Sequence, residues 1–164
     1  MGNYSFKKDF NNSKQNEFFA KGVLAECCGP VLQRIDEVPK KLQVFGDLML
    51  TYHDGTEVFV ECKEDFMTRH TGNLAIECFC REKPSGISIS KAHFWLITAH
   101  TNHGIELYLI ETETLRNLID RKKYKKLHTT GGDKGSNTHN YLFDRNLIKE
   151  KSKILFEKGK ANIQ

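Results

Sequence analysis

Two neighbouring stretches of the chain, residues 46–52 and 56–63, are mainly apolar and rich in residues that favour β-strands. These runs predict two short strands, and the Asp-Gly dipeptide between them at 54–55 is a strong signal for a hairpin turn. Side chains two residues apart on a strand share a face, so Glu61 and Lys63 project together, while Val58, Val60 and Cys62 project the other way into a core. The pattern therefore predicts a hairpin with one charged face.

The length of the turn decides whether Asp47 joins this charged face, because opposed residues in a hairpin have a constant index sum. A three-residue loop at 53–55, with its glycine in the left-handed conformation, sets Asp47 opposite Glu61. A two-residue turn sets Asp47 opposite Cys62 instead. The hypothesis of a shared acidic site therefore requires the three-residue loop or a bulge.

The periodicity of the remaining chain predicts further helices and strands. Gly29-Pro30 is expected to end the first helix. The predicted elements are a helix over 14–28 with Ser13 as its cap, strands over 31–38 and 73–80, a second hairpin from 93–99 and 105–110, a helix over 113–121, a strand over 141–143 and a terminal helix over 147–158.

The 164 residues suffice for one domain with a sizeable core, and we expect a single domain over 1–164. Residues 1–12 are interpreted as a lead-in, 13–111 as the catalytic core and 112–164 as a basic C-terminal region of helices and loops. The chain lacks an apolar run of the ~20 residues that span a bilayer, and its N-terminus lacks the apolar segment of a signal peptide. A cytoplasmic protein with no membrane partner is expected, in the host cytoplasm if the protein is viral.

The five cysteines are an odd number with no disulfide-like spacing, which fits a reducing compartment. Buried free thiols are the expected state. A zinc site from Cys78, Cys80 and a distant histidine is an alternative, as is a ligand role for the loop residues His100 and His103. The glycine-rich stretch 128–137 lacks dinucleotide-binding and P-loop spacing, so it is interpreted as a flexible loop beside a substrate groove and no nucleotide cofactor is expected.

Two carboxylates and a lysine on one strand face suit the hydrolysis of a phosphodiester. Carboxylate oxygens hold Mg²⁺, which polarises the phosphoryl group and activates water, while an ammonium group stabilises developing negative charge. Glu17 is a further candidate ligand in the first turn of the first helix, with Glu26 as the competing carboxylate, and Glu77 is a fourth candidate. The alternative is an ordinary solvated strand face with a cross-strand ion pair.

A basic run places five cations around Tyr124, and such a run suits a phosphate backbone with a base stacked on the ring. The alternative is a solvated helix end whose cations favour the C-terminal dipole. The five cations are Arg121, Lys122, Lys123, Lys125 and Lys126.

The order of these motifs resembles the PD-(D/E)XK nuclease superfamily, and more narrowly its small phage-type, Holliday-junction resolvase-like members. The resemblance spans roughly 13–110 and implies an α/β domain with a restriction-endonuclease-like core, in which helices flank a central mixed β-sheet. Gly46 stands where the superfamily has its nominal proline, and Asn16 where a glycine is expected. The segments that carry the resemblance are Ser13-Lys14-Gln15-Asn16-Glu17, Asp47, Glu61-Cys62-Lys63, Thr71-Gly72-Asn73-Leu74-Ala75-Ile76-Glu77 and Ser85-Gly86-Ile87.

The resemblance also implies roles for individual residues. Asp47 and Glu61 would hold Mg²⁺, for which Mn²⁺ can substitute, together with the Cys62 backbone carbonyl and Glu17. Lys63 would act on the nucleophile or on the charge of the transition state. Glu77 and Ser85 would lie near the scissile phosphate.

A Mg²⁺-dependent endonuclease acting on DNA is therefore the expected function, and a homodimer that resolves branched DNA is its most specific version. One alternative is an exonuclease or nickase that acts on linear or single-stranded DNA, since one fold serves many substrates. Another is a nucleic-acid-binding protein of the same fold without turnover. RNA as the substrate is a third.

Overall fold

The computed structural model describes the backbone of residues 6–157 and 160–161 and the side chains of residues 14–157. Its elements, in chain order, are α1 (Phe6–Cys28), β1 (Leu32–Glu37), β2 (Leu48–Tyr52), β3 (Glu57–Asp65), α2 (Thr68–Thr71), β4 (Asn73–Cys80), β5 (Lys83–Pro84), β6 (Phe94–Thr101), β7 (Gly104–Glu111), α3 (Thr112–Asp120), β8 (Lys126–Gly131), β9 (Thr138–Asp144), α4 (Arg145–Lys151), β10 (Lys153–Glu157) and β11 (Lys160–Ala161). Short 3-10 segments occupy Gly29–Val31, Lys40–Phe45 and Gly86–Ser88.

The first helix is longer than the sequence predicted. It begins at Phe6, so it extends into the segment interpreted as a lead-in, and Ser13 lies inside it rather than at its cap. Its predicted end is confirmed, because the helix stops at Cys28 and Gly29 adopts a positive φ of +66°. Glu17 consequently lies in the middle of α1, where the helix dipole no longer favours a carboxylate.

A seven-stranded sheet with the order β1-β2-β3-β6-β7-β10-β11 forms the centre of the fold. β3 and β6 run parallel, whereas every other neighbouring pair in this sheet is antiparallel. The predicted α/β class with a mixed sheet is therefore confirmed. A parallel pair needs a long crossover, and here the crossover from β3 to β6 contains α2, β4 and β5.

The crossover helps to form a second, four-stranded sheet with the order β5-β4-β9-β8, which the sequence did not predict. The C-terminal region is therefore not a region of helices and loops, since it contributes β8 and β9 to this sheet and β10 to the larger one. The predicted terminal helix over 147–158 is wrong, because α4 ends at Lys151 and β10 pairs with β7. The glycine-rich stretch interpreted as a loop begins inside β8.

The seven-stranded sheet has an apolar cluster on each face, because side chains alternate along its strands. Leu48, Val60 and Leu96 pack with α1 residues such as Leu24 on one face. The cluster on the other face packs against the four-stranded sheet and α3, and includes Trp95, Ile97, Tyr108, Leu74, Ile76, Phe143 and Leu115. No helix among the described residues is long and apolar enough to cross a membrane.

Candidate active site

The turn between β2 and β3 is a three-residue loop at 53–55. The N–H of Tyr52 donates to the Thr56 carbonyl at 2.9 Å, and Gly55 adopts a left-handed φ of +87°. Glycine suits this position because residues with a Cβ rarely adopt such a φ. The sequence offered a two-residue or a three-residue turn, and the structure contains the three-residue one.

This turn fixes the register of the hairpin. Leu48 pairs with Val60 and Met49 with Phe59, so the preceding residue, Asp47, stands opposite Glu61. The register on which the predicted acidic site depended is therefore confirmed. Asp47 lies directly before β2, where the ladder between the two strands ends.

The chain passes very close to β3 at Gly46. A Cβ at Gly46 would lie 2.7 Å from the Val60 carbonyl oxygen, and its φ is +118°, so a larger residue would force the backbone apart. Beyond it, the Asp47 N–H donates to the Val60 carbonyl at 2.9 Å, and the Asp47 Oδ2 accepts from the Cys62 N–H at 2.8 Å. These two hydrogen bonds hold the Asp47 carboxylate against the end of the ladder.

The Cys62 backbone carbonyl faces the same side of β3 as Asp47, because the N–H and C=O groups of one strand residue point the same way. The Cys62 thiol, in contrast, is held in its neutral form, because burial and the nearby carboxylates of Asp47 and Glu17 raise its pKa. The backbone of Cys62 is therefore the part of this residue that is available to a cation.

Glu61 is the most strongly perturbed carboxyl of the hairpin. It stands opposite Trp95 of β6, and burial, together with repulsion from Asp47 and Glu77, raises its pKa to about 7. Lys63 acts in the opposite direction on this pKa. The Glu61 carboxylate accepts no hydrogen bond from the described residues, so its negative charge is poorly compensated.

Asp47 shares this electrostatic environment. Burial raises its pKa, the hydrogen bond from the Cys62 N–H lowers it, Glu17 raises it and Lys21 lowers it, and the net direction is upward. Two neighbouring carboxyls with raised pKa values are a typical arrangement at functional sites, and a cation between them would favour their charged forms.

A cleft of about 210 Å³ opens beside Asp47 on the side of the sheet that faces α1. Glu61 does not line this cleft, because it projects to the face of the sheet that carries Glu77. The cleft is lined by Glu17, Ala20, Asp47, Cys62, Lys63, Glu64, Leu96 and Thr98.

Glu17 and Glu26 occupy different surroundings, although the sequence left both as candidates on the first helix. Glu17 lines the cleft and acts on Asp47, and it also forms an ion pair with Lys21 at 3.2 Å. Glu26 is exposed and does not line the cleft. Between the two, Glu17 is the carboxylate that α1 brings to the site.

Sequence reasoning missed a hydrogen-bonded group at the floor of the cleft. The Glu64 Oε1 accepts from the Asn16 side chain at 2.7 Å and contacts the His100 Nε2 at 2.8 Å, while the His100 ring stacks on Phe66 at 4.3 Å. Glu64 lies in β3, one residue beyond the predicted strand, and His100, which was interpreted as a loop residue, lies in β6. Asn16 lies on α1 next to Glu17, so its hydrogen bond to Glu64 of β3 also holds this part of α1 against the sheet.

Glu77 and Ser85 lie together on the other side of Glu61. A Cβ at Gly86 would lie 2.2 Å from the Glu77 carbonyl oxygen, so Gly86 lets the segment after β5 approach β4 closely. The Ser85 hydroxyl is buried and has no hydrogen-bond partner among the described residues. A buried hydroxyl without a partner costs free energy unless a ligand or water satisfies it.

The basic run after α3 has contacts within the fold at two of its positions. The Tyr124 ring is partly buried and packs against Tyr141 at 4.8 Å and edge-on against Phe143. Lys125 is paired with Asp144 at 2.9 Å and donates to the Asn73 side chain. The remaining cations of the run, Arg121, Lys122, Lys123 and Lys126, are exposed.

No group of three or more His, Cys, Asp or Glu side chains that could hold a metal ion is found within the described residues. The alternative zinc site at Cys78 and Cys80 is therefore not found among the described residues. The Cys78 thiol donates to the His139 carbonyl, and the Cys80 sulfur accepts from the Thr138 hydroxyl. A comparison with protein-family models finds no match for the chain, and a comparison with curated proteins also finds none.

Proposed function

We propose that the protein is a metal-dependent deoxyribonuclease that hydrolyses phosphodiester bonds at Asp47, Glu61 and Lys63. The observation that carries the proposal is the register of the hairpin, which sets two partly buried carboxyls opposite each other with raised pKa values. An ordinary solvated strand face would show neither the burial nor the upward shifts.

The donor groups present fit Mg²⁺. This ion is usually held by one or two carboxylates and keeps several waters, so Asp47, Glu61 and the Cys62 carbonyl meet its requirement without a third protein carboxylate. Glu17 is available at the edge of the cleft as a more distant partner. Bound Mg²⁺ would polarise the phosphoryl group and activate water.

The protein's own groups contribute charge and position. Lys63 lies two residues from Glu61 on the same strand face, lowers the pKa of Glu61 and forms no ion pair with a described residue, so its ammonium group is available for the attacking water or the charge of the transition state. Asp47 is held by its hydrogen bond from Cys62, which limits its motion during the reaction.

The restriction-endonuclease-like core belongs to the same proposal. It is supported by the order of a helix, a three-strand meander and then a strand parallel to the third, because this order brings the acidic hairpin to the centre of a mixed sheet. By the resemblance of its motifs, we further propose that the substrate is branched DNA and that a homodimer cuts it on two strands.

The experiment is cleavage of a labelled four-way DNA junction, a matched linear duplex and a matched single strand, each with Mg²⁺ and with EDTA. Lys63→Ala is compared with Glu57→Gln, an exposed carboxyl at the other end of β3. We expect cleavage with Mg²⁺ only, lost in Lys63→Ala and retained in Glu57→Gln.

The substrates separate the versions of the proposal. Paired symmetric cuts on the junction alone support the resolvase version, and cuts on linear or single strands support an exonuclease or nickase. Absence of cleavage on all three substrates, with Mg²⁺ and with Mn²⁺, would contradict the nuclease.

A further inference from the structure

Three aromatic rings lie in series beside the candidate active site. Phe45 and Phe59 have ring centroids 5.2 Å apart with their planes tilted by 39°, and Phe59 and His93 are stacked at 5.9 Å with an interplanar angle of 12°. We call Phe45, Phe59 and His93 the aromatic stack. His93 is exposed and forms one end of this series of rings.

Each ring of the aromatic stack lies on a segment that leads to Asp47, to Glu61 or to the residue opposite Glu61. Phe59 precedes Glu61 by two residues on β3 and therefore shares its face, about 7 Å away along the strand. Phe45 precedes Asp47 by two residues. His93 comes just before β6, whose Trp95 stands opposite Glu61. A group that stacks on His93 therefore lies within about one nucleotide of the carboxyls.

The imidazole of His93 is held in one orientation. Its Nδ1 accepts from the Phe59 N–H at 2.9 Å, so the neutral ring carries its proton on Nε2. The ring thus offers a π-face and an outward N–H donor together. This combination suits a nucleobase and its neighbouring phosphate.

Three lysines with no ion-pair partner among the described residues lie on the segments that lead to the aromatic stack. The Lys91 Nζ lies 5.5 Å from the centroid of the Phe45 ring. The backbone N–H of Lys91 donates to the Val44 carbonyl at 2.6 Å. Lys40 and Lys41 are exposed on the 3-10 segment that ends at Phe45. None of these three lysines forms an ion pair with a described residue, in contrast to Lys125, which Asp144 neutralises.

We propose that the aromatic stack with Lys40, Lys41 and Lys91 binds an unpaired stretch of nucleic acid and leads it to Asp47 and Glu61. The lysines contact phosphates, and an unpaired base stacks on the exposed face of His93. This inference rests on the proposed function and deepens it, since it gives the substrate an unpaired nucleotide next to the scissile bond. It also places the nucleic-acid interface away from the basic run 121–126.

The first test compares two sets of three exposed cations in the full-length protein. Binding of a labelled single strand is measured by fluorescence anisotropy with EDTA present, over a range of salt concentrations. Lys40→Gln/Lys41→Gln/Lys91→Gln should reduce the slope of log K against log salt by about 2, because three phosphate contacts on a single strand are lost. Arg121→Gln/Lys122→Gln/Lys123→Gln should leave the slope unchanged.

The second test measures stacking directly. A single strand that contains 2-aminopurine should lose fluorescence on binding, and His93→Ala should remove this quenching and weaken binding about five- to 150-fold. Phe45→Leu provides a second variant that keeps an apolar side chain. Phe19→Leu is the matched control, because Phe19 packs against Phe156 on the opposite side of the protein. Thermal unfolding of each variant shows whether its fold is retained.

The outcomes separate this inference from the nuclease. Cleavage by the wild type, with unchanged binding and quenching in the His93, Phe45 and lysine variants, would overturn the inference and leave the nuclease in place. Loss of binding to single strand and duplex alike, without any quenching, would assign the lysines to a duplex backbone and also overturn it. Stacking and lysine-dependent binding without cleavage under Mg²⁺ or Mn²⁺ would support the interface and contradict the nuclease.

Discussion

Two partly buried glutamates lie on the seven-stranded sheet, and their surroundings shift their pKa values in opposite directions. Burial acts to raise the pKa of Glu106 on β7, but the Tyr108 hydroxyl, Arg145 and Lys149 outweigh it, and the pKa is lowered. Arg145 donates to Glu106 at 2.6 Å. Glu61 on β3 is also partly buried, accepts no hydrogen bond from the described residues and has its pKa raised to about 7.

The difference shows which centre stabilises the fold. Glu106 is compensated in its charged form, so it contributes stability at neutral pH. Glu61 is charged at neutral pH only against burial and the repulsion of Asp47, so it costs stability there. Strongly perturbed carboxyls are typical of functional sites, so this contrast supports the proposal that places the chemistry at the hairpin and a structural role at the Glu106 centre.

The largest expected effect is on activity. If the proposed function holds, Asp47→Asn should lower the rate of DNA cleavage at least about 100-fold, because it removes a proposed ligand to the metal rather than a more distant partner. DNA binding should be retained or strengthened, since one negative charge near phosphate is lost. Cleavage and anisotropy measured on the same preparation check both parts, and full cleavage by the variant would remove Asp47 from the site.

The structural centre should respond in stability instead. Glu106→Gln should lower the free energy of unfolding by about 2 kcal/mol, because Arg145 then loses its partner in a partly buried position. Urea unfolding at pH 7 measures this. The matched control is Glu113→Gln, which breaks an exposed pair with Arg116 and should cost less than about 0.5 kcal/mol. Equal effects of the two substitutions would contradict the contrast.

The smallest expected effect is a gain in stability at the candidate active site. A carboxyl with a raised pKa contributes stability that is present below its unfolded value near 4.5 and lost as the pH rises through about 7. Glu61→Gln should therefore raise the free energy of unfolding by about 1–2 kcal/mol at pH 8 with EDTA, and leave it unchanged at pH 4. A loss of stability at pH 8 would show that the Glu61 charge is compensated.

Sequence reasoning succeeded where a feature depends on neighbouring residues. The Asp54-Gly55 turn, the alternation on β3 and the end of α1 at Gly29 are all local, and the structure contains each of them. The opposition of Asp47 and Glu61 also follows from a local choice, the length of one turn. This is why the central part of the candidate site could be stated from sequence as a condition on that turn.

Reasoning failed where distant segments decide the outcome. Ile154, Leu155 and Phe156 form an apolar run that fits a helix or a strand, and only pairing with β7 makes it β10. The pairing of β8 with β9 likewise has no local signal as strong as the glycines that suggested a loop.

The missed polar contacts share this cause. The bonds from Asn16 to Glu64, from His100 to Glu64 and from Arg145 to Glu106 join residues 48, 36 and 39 positions apart. No periodicity in a single sequence records such pairs. They become visible only when the sheet brings the strands together.

The most direct measurement is a titration of the protein with Mn²⁺, followed by electron paramagnetic resonance and competed with Mg²⁺, at pH 8. The wild type should bind Mn²⁺ at one Mg²⁺-sensitive site, and both Asp47→Asn and Glu61→Gln should abolish that binding, whereas Glu113→Gln should not. Failure of the wild type to bind, or binding that survives both hairpin substitutions, would contradict the assignment of a cation site to Asp47 and Glu61.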